Sequence, residues 1–290
     1  MYLGIDHGTT AMRFATESGT FKLPRPDACA FELGALERLG PIGSIEGCAL
    51  CYSMGDGISA ITPIERVRNR GVVSREGAGE HIGGGTRVFD VMAASGIPTV
   101  VIPGLHRGSP TDPRFKAYSH QTSPEKLGIA YLGVLEHGPD VVVADISSNT
   151  VSLLVRDGRV VGAFDACLFA PGMRHGALDV DAIRRIDLGE ETANQAFLRA
   201  GVEYTMPESE RLRAVAMFAA MECAALLLLA PDATVVLAGS LAPLVADEVA
   251  GLLDRPVAVR DEWAAAEGLV RIARDVFAGA DEILGIPIDR

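Results

Sequence analysis

Two short stretches carry the residues whose types and spacing can do chemistry. The first is Gly4-Ile5-Asp6-His7-Gly8-Thr9-Thr10, and the second is Ala144-Asp145-Ile146-Ser147-Ser148-Asn149-Thr150. In each, an apolar run ends in an aspartate, a small polar turn follows, and another apolar run returns. Such a turn gathers a carboxylate, hydroxyls and a row of backbone N–H groups at one tip. The oriented N–H dipoles suit an anion, and the carboxylate suits the cation that travels with it. An ordinary β-hairpin with Gly8 supplying a positive φ also accounts for the first stretch. The recurrence of the pattern 139 residues on favours a paired site.

Strands must hold both turns. Residues 2–6, 11–15 and 19–23 read as a three-stranded meander, ended by Pro24 and Pro26. Residues 141–145, 151–155 and, beyond the Asp157-Gly158 hairpin signal, 159–166 read as a second. Between them the pattern predicts a helix over 30–39, a strand over 45–53, a turn at 54–57, a helix over 86–95 and a strand over 97–102. The intervening stretch 62–85 is rich in Arg, Glu and Gly; it reads as a solvated loop, or alternatively as a mobile segment facing a substrate.

Ser123-Pro124-Glu125 opens a helix, with Ser123 as N-cap, Pro at the first position and an acid in the first turn. That helix runs to about His137, where Gly138-Pro139 stops it. Helices are predicted over 179–186, 190–200 and 207–230. A strand over 233–238 ends in Gly239-Ser240 before a helix over 241–253, and 257–259 reads as a short strand. The helix predicted over 262–278 carries Ala265, Gly268 and Ala273 on one face, where small side chains let another helix approach closely.

Composition bounds the function classes. The 290 residues, 48% hydrophobic and 22% charged, suffice for a packed α/β core in one large domain or two moderate ones. A net charge of −12 excludes the basic footprint of a nucleic-acid binder. It leaves room for a nucleotide pocket, where backbone amides, one or two arginines and Mg²⁺ do the neutralising. An odd number of cysteines, five, without a signal peptide points to the reducing cytoplasm. Cys48-Ala-Leu-Cys51 lies in a predicted strand, where residues three apart face opposite sides, so buried structural cysteines are expected in place of a metal or redox pair. The apolar stretch 214–230, broken by Glu222, is shorter than a bilayer span and predicts a buried helix with no membrane role. Such apolar helices leave a homodimer open.

Together with Leu237-Ala238-Gly239-Ser240-Leu241, the two aspartate turns resemble the sugar kinase, heat-shock chaperone and actin ATPase superfamily. The first turn is similar to its first phosphate loop, the second to its second phosphate loop, and the Gly239 segment to its adenosine motif. The helices beginning at Pro124 and Glu262 stand where its two connecting helices belong. The resemblance implies an α/β fold of two duplicated ribonuclease-H-like domains with mixed sheets around an interdomain nucleotide cleft. These would cover residues 1–120 and 121–290, with the last helix packing back on the first domain. It also implies ATP and Mg²⁺ as cofactors, with Asp6, His7, Gly8, Thr9, Thr10, Ser147, Ser148, Asn149, Gly239 and Ser240 around the nucleotide. Asp6 and Asp145 would hold the metal, directly or through water. The second turn departs from the pattern: Ser147-Ser148 stands where many members carry two glycines, which narrows the room for backbone amides to close on a phosphate.

Within that superfamily, Tyr118-Ser119-His120-Gln121-Thr122-Ser123 and the segment from Pro171 to Asp181 resemble parts of acetate and butyrate kinases. This likeness implies catalytic roles for Asp145, Arg174 and His120, with Arg174 and His120 facing the transferred phosphoryl group. Over most of its length the chain is similar to an archaeal family called methanogenesis marker protein 12, a name that specifies no reaction. The implied function is phosphoryl transfer from ATP to a small carboxylate or related acid. Two other readings stand beside it: an ATP-driven conformational switch acting on a protein partner, and a module that binds nucleotide without turnover.

Overall fold

The computed structural model describes residues 1–52, 57–68 and 83–290. β1 (Tyr2–His7), β2 (Ala11–Thr16) and β3 (Gly19–Pro24) form an antiparallel meander. β4 (Gly47–Cys51) adds in parallel beside β1, and the sheet is completed by β5 (Thr62–Pro63) and β6 (Thr99–Ile102) in the order β3-β2-β1-β4-β6-β5. Helix α1 (Gly84–Ala94) lies against this sheet, as do 3-10 turns at Asp27–Ala30 and Leu33–Leu39. The single helix expected over 30–39 is therefore two tight turns, neither of which has a side-chain cap. Residues 54–56 of the predicted turn and most of the polar stretch 62–85 lie outside the described residues.

β7 (Leu105–His106) and β8 (His120–Thr122) make a small ribbon that leads into α2 (Glu125–His137). Ser123 does not cap α2. The N-cap position is Pro124, and the Ser123 hydroxyl donates instead to the Glu125 carboxylate. β9 (Val141–Ile146), β10 (Thr150–Arg156) and β11 (Arg159–Phe164) form the second meander. After α3 (Val180–Asp187), α4 (Ala193–Phe197), α5 (Val202–Thr205) and α6 (Glu208–Leu227) come β12 (Thr234–Ala238), α7 (Ala242–Leu253), β13 (Val257–Val259) and α8 (Ala264–Phe277). The second sheet runs β11-β10-β9-β12-β13, with β12 and β13 parallel to β9. Five strands follow the same directions in both sheets, an antiparallel meander extended by two parallel strands; the first sheet adds β5 antiparallel at its edge. No helix among the described residues is long and apolar enough to cross a membrane.

Side-chain alternation along β1 and β9 decides what the sheets can place together. Leu3 and Ile5 enter an outer core with Phe14, Phe31 and Phe89. In β9, Val142, Ala144 and Ile146 enter a second outer core under α6 and α7, whereas Val141 and Val143 face a third core shared with α2 and α8. Asp6 alternates with Ile5, and Asp145 falls in step with Val141 and Val143, so both carboxylates face the layer that separates the sheets. The same rule splits the cysteine pair: Cys48 joins the outer core and Cys51 the central one, each buried, with burial pushing both thiols up.

The separating layer is α2 crossed by α8. Here the small residues read from the sequence find their partner: a Cβ at Gly268 would lie 1.9 Å from the carbonyl oxygen of Gly128. α2 packs on β9 and β10, while α8 crosses to pack on β1, β2 and β4. The two helices therefore tie one sheet to the other, and their N-terminal ends open onto a common space.

A cleft between two aspartate-tipped turns

That space is a cleft of about 570 Å³, counting its open mouth. It is lined by Asp6, Gly8, Thr9, Thr10 and Arg13 from the first hairpin, and by Asp145, Ser147, Ser148 and Asn149 from the second. Gly239 and Ser240 line it from the β12–α7 turn, Glu125, Lys126 and Ile129 from α2, and Asp261, Glu262 and Ala265 from the start of α8. The two hairpin tips read from the sequence thus face each other across one opening.

Register places each polar group. Asp6 pairs across the ladder with Arg13, whose Nη1 reaches Asp6 Oδ2 at 3.4 Å. The same guanidinium donates to Glu262 Oε2 at 2.9 Å, and Lys22 Nζ donates to Glu262 Oε1 at 2.8 Å. Asp6 Oδ1 is buried and has no hydrogen-bond partner. Burial raises the Asp6 carboxyl to about 7; Glu125 adds to the rise and Arg13 and Lys126 oppose it.

On the other side, Ala238 pairs with Asp145, which brings the Gly239 turn against that carboxylate. Gly239 has φ +97°, and a Cβ there would stand 2.3 Å from Asp145 Oδ1. Only glycine satisfies both the backbone angle and the space. Gly8 does a different job from the one its turn suggested. Its φ is not positive, and it is needed for room, because a Cβ would meet Arg13 Nη1 at 2.4 Å.

Two cleft residues escaped the sequence reading. Lys126 Nζ donates to Asp145 Oδ2 at 2.6 Å and to Glu125 Oε1 at 2.9 Å, in full burial. Burial acts to lower the lysine, but the two carboxylates outweigh it and hold the ammonium charged. Glu125 is pushed up by burial, yet Lys126 and the Ser123 hydroxyl bring its carboxyl below the ordinary value. The sequence assigned Glu125 to a helix terminus, where an acid is common, and gave Lys126 no role. The third missed residue, His175, is buried and its Nδ1 meets Asn149 Oδ1. Backbone N–H groups of Met173, Arg174 and His175 donate to the carbonyls of Ser147 and Ser148, so this loop buttresses the second turn. The Gly-Met-Arg-His-Gly spelling marked the loop through Arg174, whereas the side chain that meets the second turn is that of His175.

Three expected site residues do not line the cleft. His7 follows Asp6 in a strand, so it must face the opposite side; its ring enters the outer core and stacks on Tyr52 with centroids 5.1 Å apart. Burial, aided by Arg25, lowers it to about 3, so it stays neutral. Arg174 contributes its backbone to the buttress, while its half-exposed guanidinium turns to Glu203 at 3.3 Å. His120 sits on the small ribbon with Nε2 2.5 Å from Asp165 Oδ2.

No family model matches the chain. A UPF0285 protein of Methanosarcina acetivorans is 48% identical over an alignment of 321 positions, covering 99% of each chain. The chain belongs to the UPF0285 family. Among solved structures, an acetate kinase of Porphyromonas gingivalis superimposes with a TM-score of 0.51 at 10% identity, covering 90% of both chains. A ROK family glucokinase of Streptomyces griseus, solved in complex with glucose and AMPPNP, gives 0.50 at 15% identity, covering 94% of this chain and 99% of that one. These likenesses establish the fold alone for this UPF0285 chain: mixed α/β with two mixed sheets, similar to that of the acetate kinase and the ROK family glucokinase.

The cleft's charge also bears on what it can hold. Five lining carboxylates face two lining basic groups, Arg13 and Lys126. Among the described residues, no three His, Cys, Asp or Glu side chains are arranged to hold a metal ion. Oxygen donors of the kind Mg²⁺ prefers are nonetheless present, and Asp6 Oδ1 is an orphaned one.

Proposed function

We propose that this protein is an ATP- and Mg²⁺-dependent phosphotransferase, built from two duplicated ribonuclease-H-like domains meeting near residue 120, with a small carboxylic acid as phosphoryl acceptor. The observation that carries the reading is the confrontation of Asp6 and Asp145, from different sheets, across one cleft that the Gly239 turn also lines. A kinase-type fold supports it, as does an acid-rich cleft that admits a polyanion only with accompanying positive charge. The donor set fits Mg²⁺, which Asp6 and Asp145 would hold. When bound, the metal neutralises charge on the phosphate oxygens.

The chain's own residues supply the rest. Thr9, Thr10 and the amides of the first turn bind phosphate oxygens, and Ser147 to Asn149 close on the chain from the other side. The Gly239-Ser240 backbone, bare of Cβ at its tightest point, lets the nucleoside lie close. Arg13 is held by Glu262 and Asp6 at a fixed position beside the turn, where it adds positive charge without having to be ordered on binding. Such positioning is most of what phosphoryl transfer asks of a protein.

A second reading, ATP hydrolysis driving a conformational switch, draws on a specific observation. Arg174 and His120, the groups implied for an acid acceptor, stand outside the cleft, whereas Glu125 Oε2 is buried in it without a hydrogen-bond partner. A carboxylate so placed suits a water as nucleophile. One assay separates the readings: ATP, Mg²⁺ and a panel of short-chain acids, with hydroxylamine to trap acyl phosphate. Acid-dependent ADP and trapped hydroxamate support the kinase. ADP and free phosphate without any acid, stimulated by a partner protein, support the switch. Neither turnover nor thermal stabilisation by ATP and Mg²⁺ refutes both.

A further inference from the structure

Lys126 belongs to neither aspartate turn, yet its ammonium stands in the middle of the cleft, against Asp145 and Glu125, at 4% exposure. Two other carboxylate oxygens there, Asp6 Oδ1 and Glu125 Oε2, are buried and unpartnered. Alone, this donor set would invite a divalent cation. With Lys126 in place, one oxygen of Asp145 is already paired with a full positive charge, and a second cation on the same carboxylate would face that charge at short range in a water-poor space. Removing the ammonium without replacing it would leave buried carboxylates uncompensated, so the two cations are alternatives.

Resting on the nucleotide reading above, we propose that Lys126 is the resident counter-ion of this cleft. It neutralises Asp145 and Glu125 in the absence of nucleotide and keeps free divalent cation out. When a metal–nucleotide complex enters, its ammonium leaves Asp145 for phosphate oxygens, a short swing that a four-carbon stem permits. The metal therefore arrives with the nucleotide and does not bind first. No covalent bond is made or broken in this exchange: Asp145 would face the divalent metal in place of the singly charged ammonium, and the ammonium would keep its charge beside the phosphate oxygens.

Mn²⁺ binding followed by electron paramagnetic resonance, without nucleotide, tests the idea on the full chain. Wild-type protein is expected to bind free Mn²⁺ weakly, and Lys126→Met at least about tenfold more tightly. Lys126→Arg, which keeps the charge, should resemble wild type. Lys126→Gln keeps a hydrogen-bond donor for both carboxylates and supplies the comparison if the Met variant does not fold. Tight nucleotide-free Mn²⁺ binding by wild type, or no gain in a folded charge-removing variant, overturns the proposal. Failure of the nucleotide reading shows separately, as no thermal stabilisation of wild type by ATP and Mg²⁺. That result removes the exchange step, while the Mn²⁺ comparison still decides whether Lys126 excludes metal.

Discussion

Gly268→Ala is the sharpest test of how the cleft is held, because it adds one methyl at the point where α2 and α8 cross. The new Cβ would stand 1.9 Å from the Gly128 carbonyl oxygen, a backbone atom that cannot rotate away. Restoring ordinary contact requires the helices to separate by roughly 1–1.5 Å, and close-packed interiors absorb such a change poorly. Overpacking of this kind costs about 1–3 kcal/mol, against a gain of about 1 kcal/mol from replacing glycine inside a helix. The net loss should be about 0–2 kcal/mol, readable as a lower urea midpoint than that of the control below. The functional effect should be larger than the stability effect, because α2 carries Glu125 and Lys126 at the cleft and α8 starts just after Glu262. A misplacement near 1 Å costs on the order of 100-fold in turnover. The matched control is Gly251→Ala on an exposed part of α7, where a Cβ meets nothing within 4 Å; it should gain about 1 kcal/mol and leave turnover unchanged. A Gly268→Ala protein as stable and as active as this control would refute the claim that the crossing sets the cleft.

Gly239→Ala meets both a left-handed φ and the Asp145 carboxylate, so it should lose about 2–4 kcal/mol and abolish the thermal shift that the proposed binding of ATP and Mg²⁺ would give the wild type. Glu222, buried in α6, is pushed up to about 8 by burial, while its unfolded value is near 4.5. Between those values the folded state holds a proton that the unfolded state has released, so stability present below pH 4.5 should fall as pH rises toward 8. Glu222→Gln should flatten that slope when urea midpoints are compared at pH 6 and 9, and an unchanged slope would count against it. His175→Ala removes the partner of Asn149 and should cost about 1–2 kcal/mol while weakening nucleotide binding more than Arg174→Ala does, measured by thermal shift.

Much of the architecture was legible. Runs such as Val141 to Ala144 are apolar at every position, which marks strands covered on both faces, and the Asp157-Gly158 turn announced its hairpin. Misreadings occurred where local chemistry permits more than one outcome. Ser123 is a good N-cap in isolation, but Pro124 takes that position and the hydroxyl goes to Glu125. Residues 30–39 look helical by composition and fold as 3-10 turns pressed under the first sheet. For His7, strict alternation already forbade sharing the cleft with Asp6.

What the sequence by itself determined was which residues end buried strands and which turns carry hydroxyls and amides, because those follow from periods of two and from turn chemistry within a few residues. The carboxylates Asp6 and Asp145 belong to that part. Only the tertiary structure decided where the long side chains go. Lys126 lies between Asp145 and Glu125 because α2 packs under the second sheet, and Arg174 points to Glu203 because its backbone is already committed to the second turn. A flexible charged side chain takes its partner from whatever charge and burial the packed elements offer, and no spacing along the chain encodes that choice.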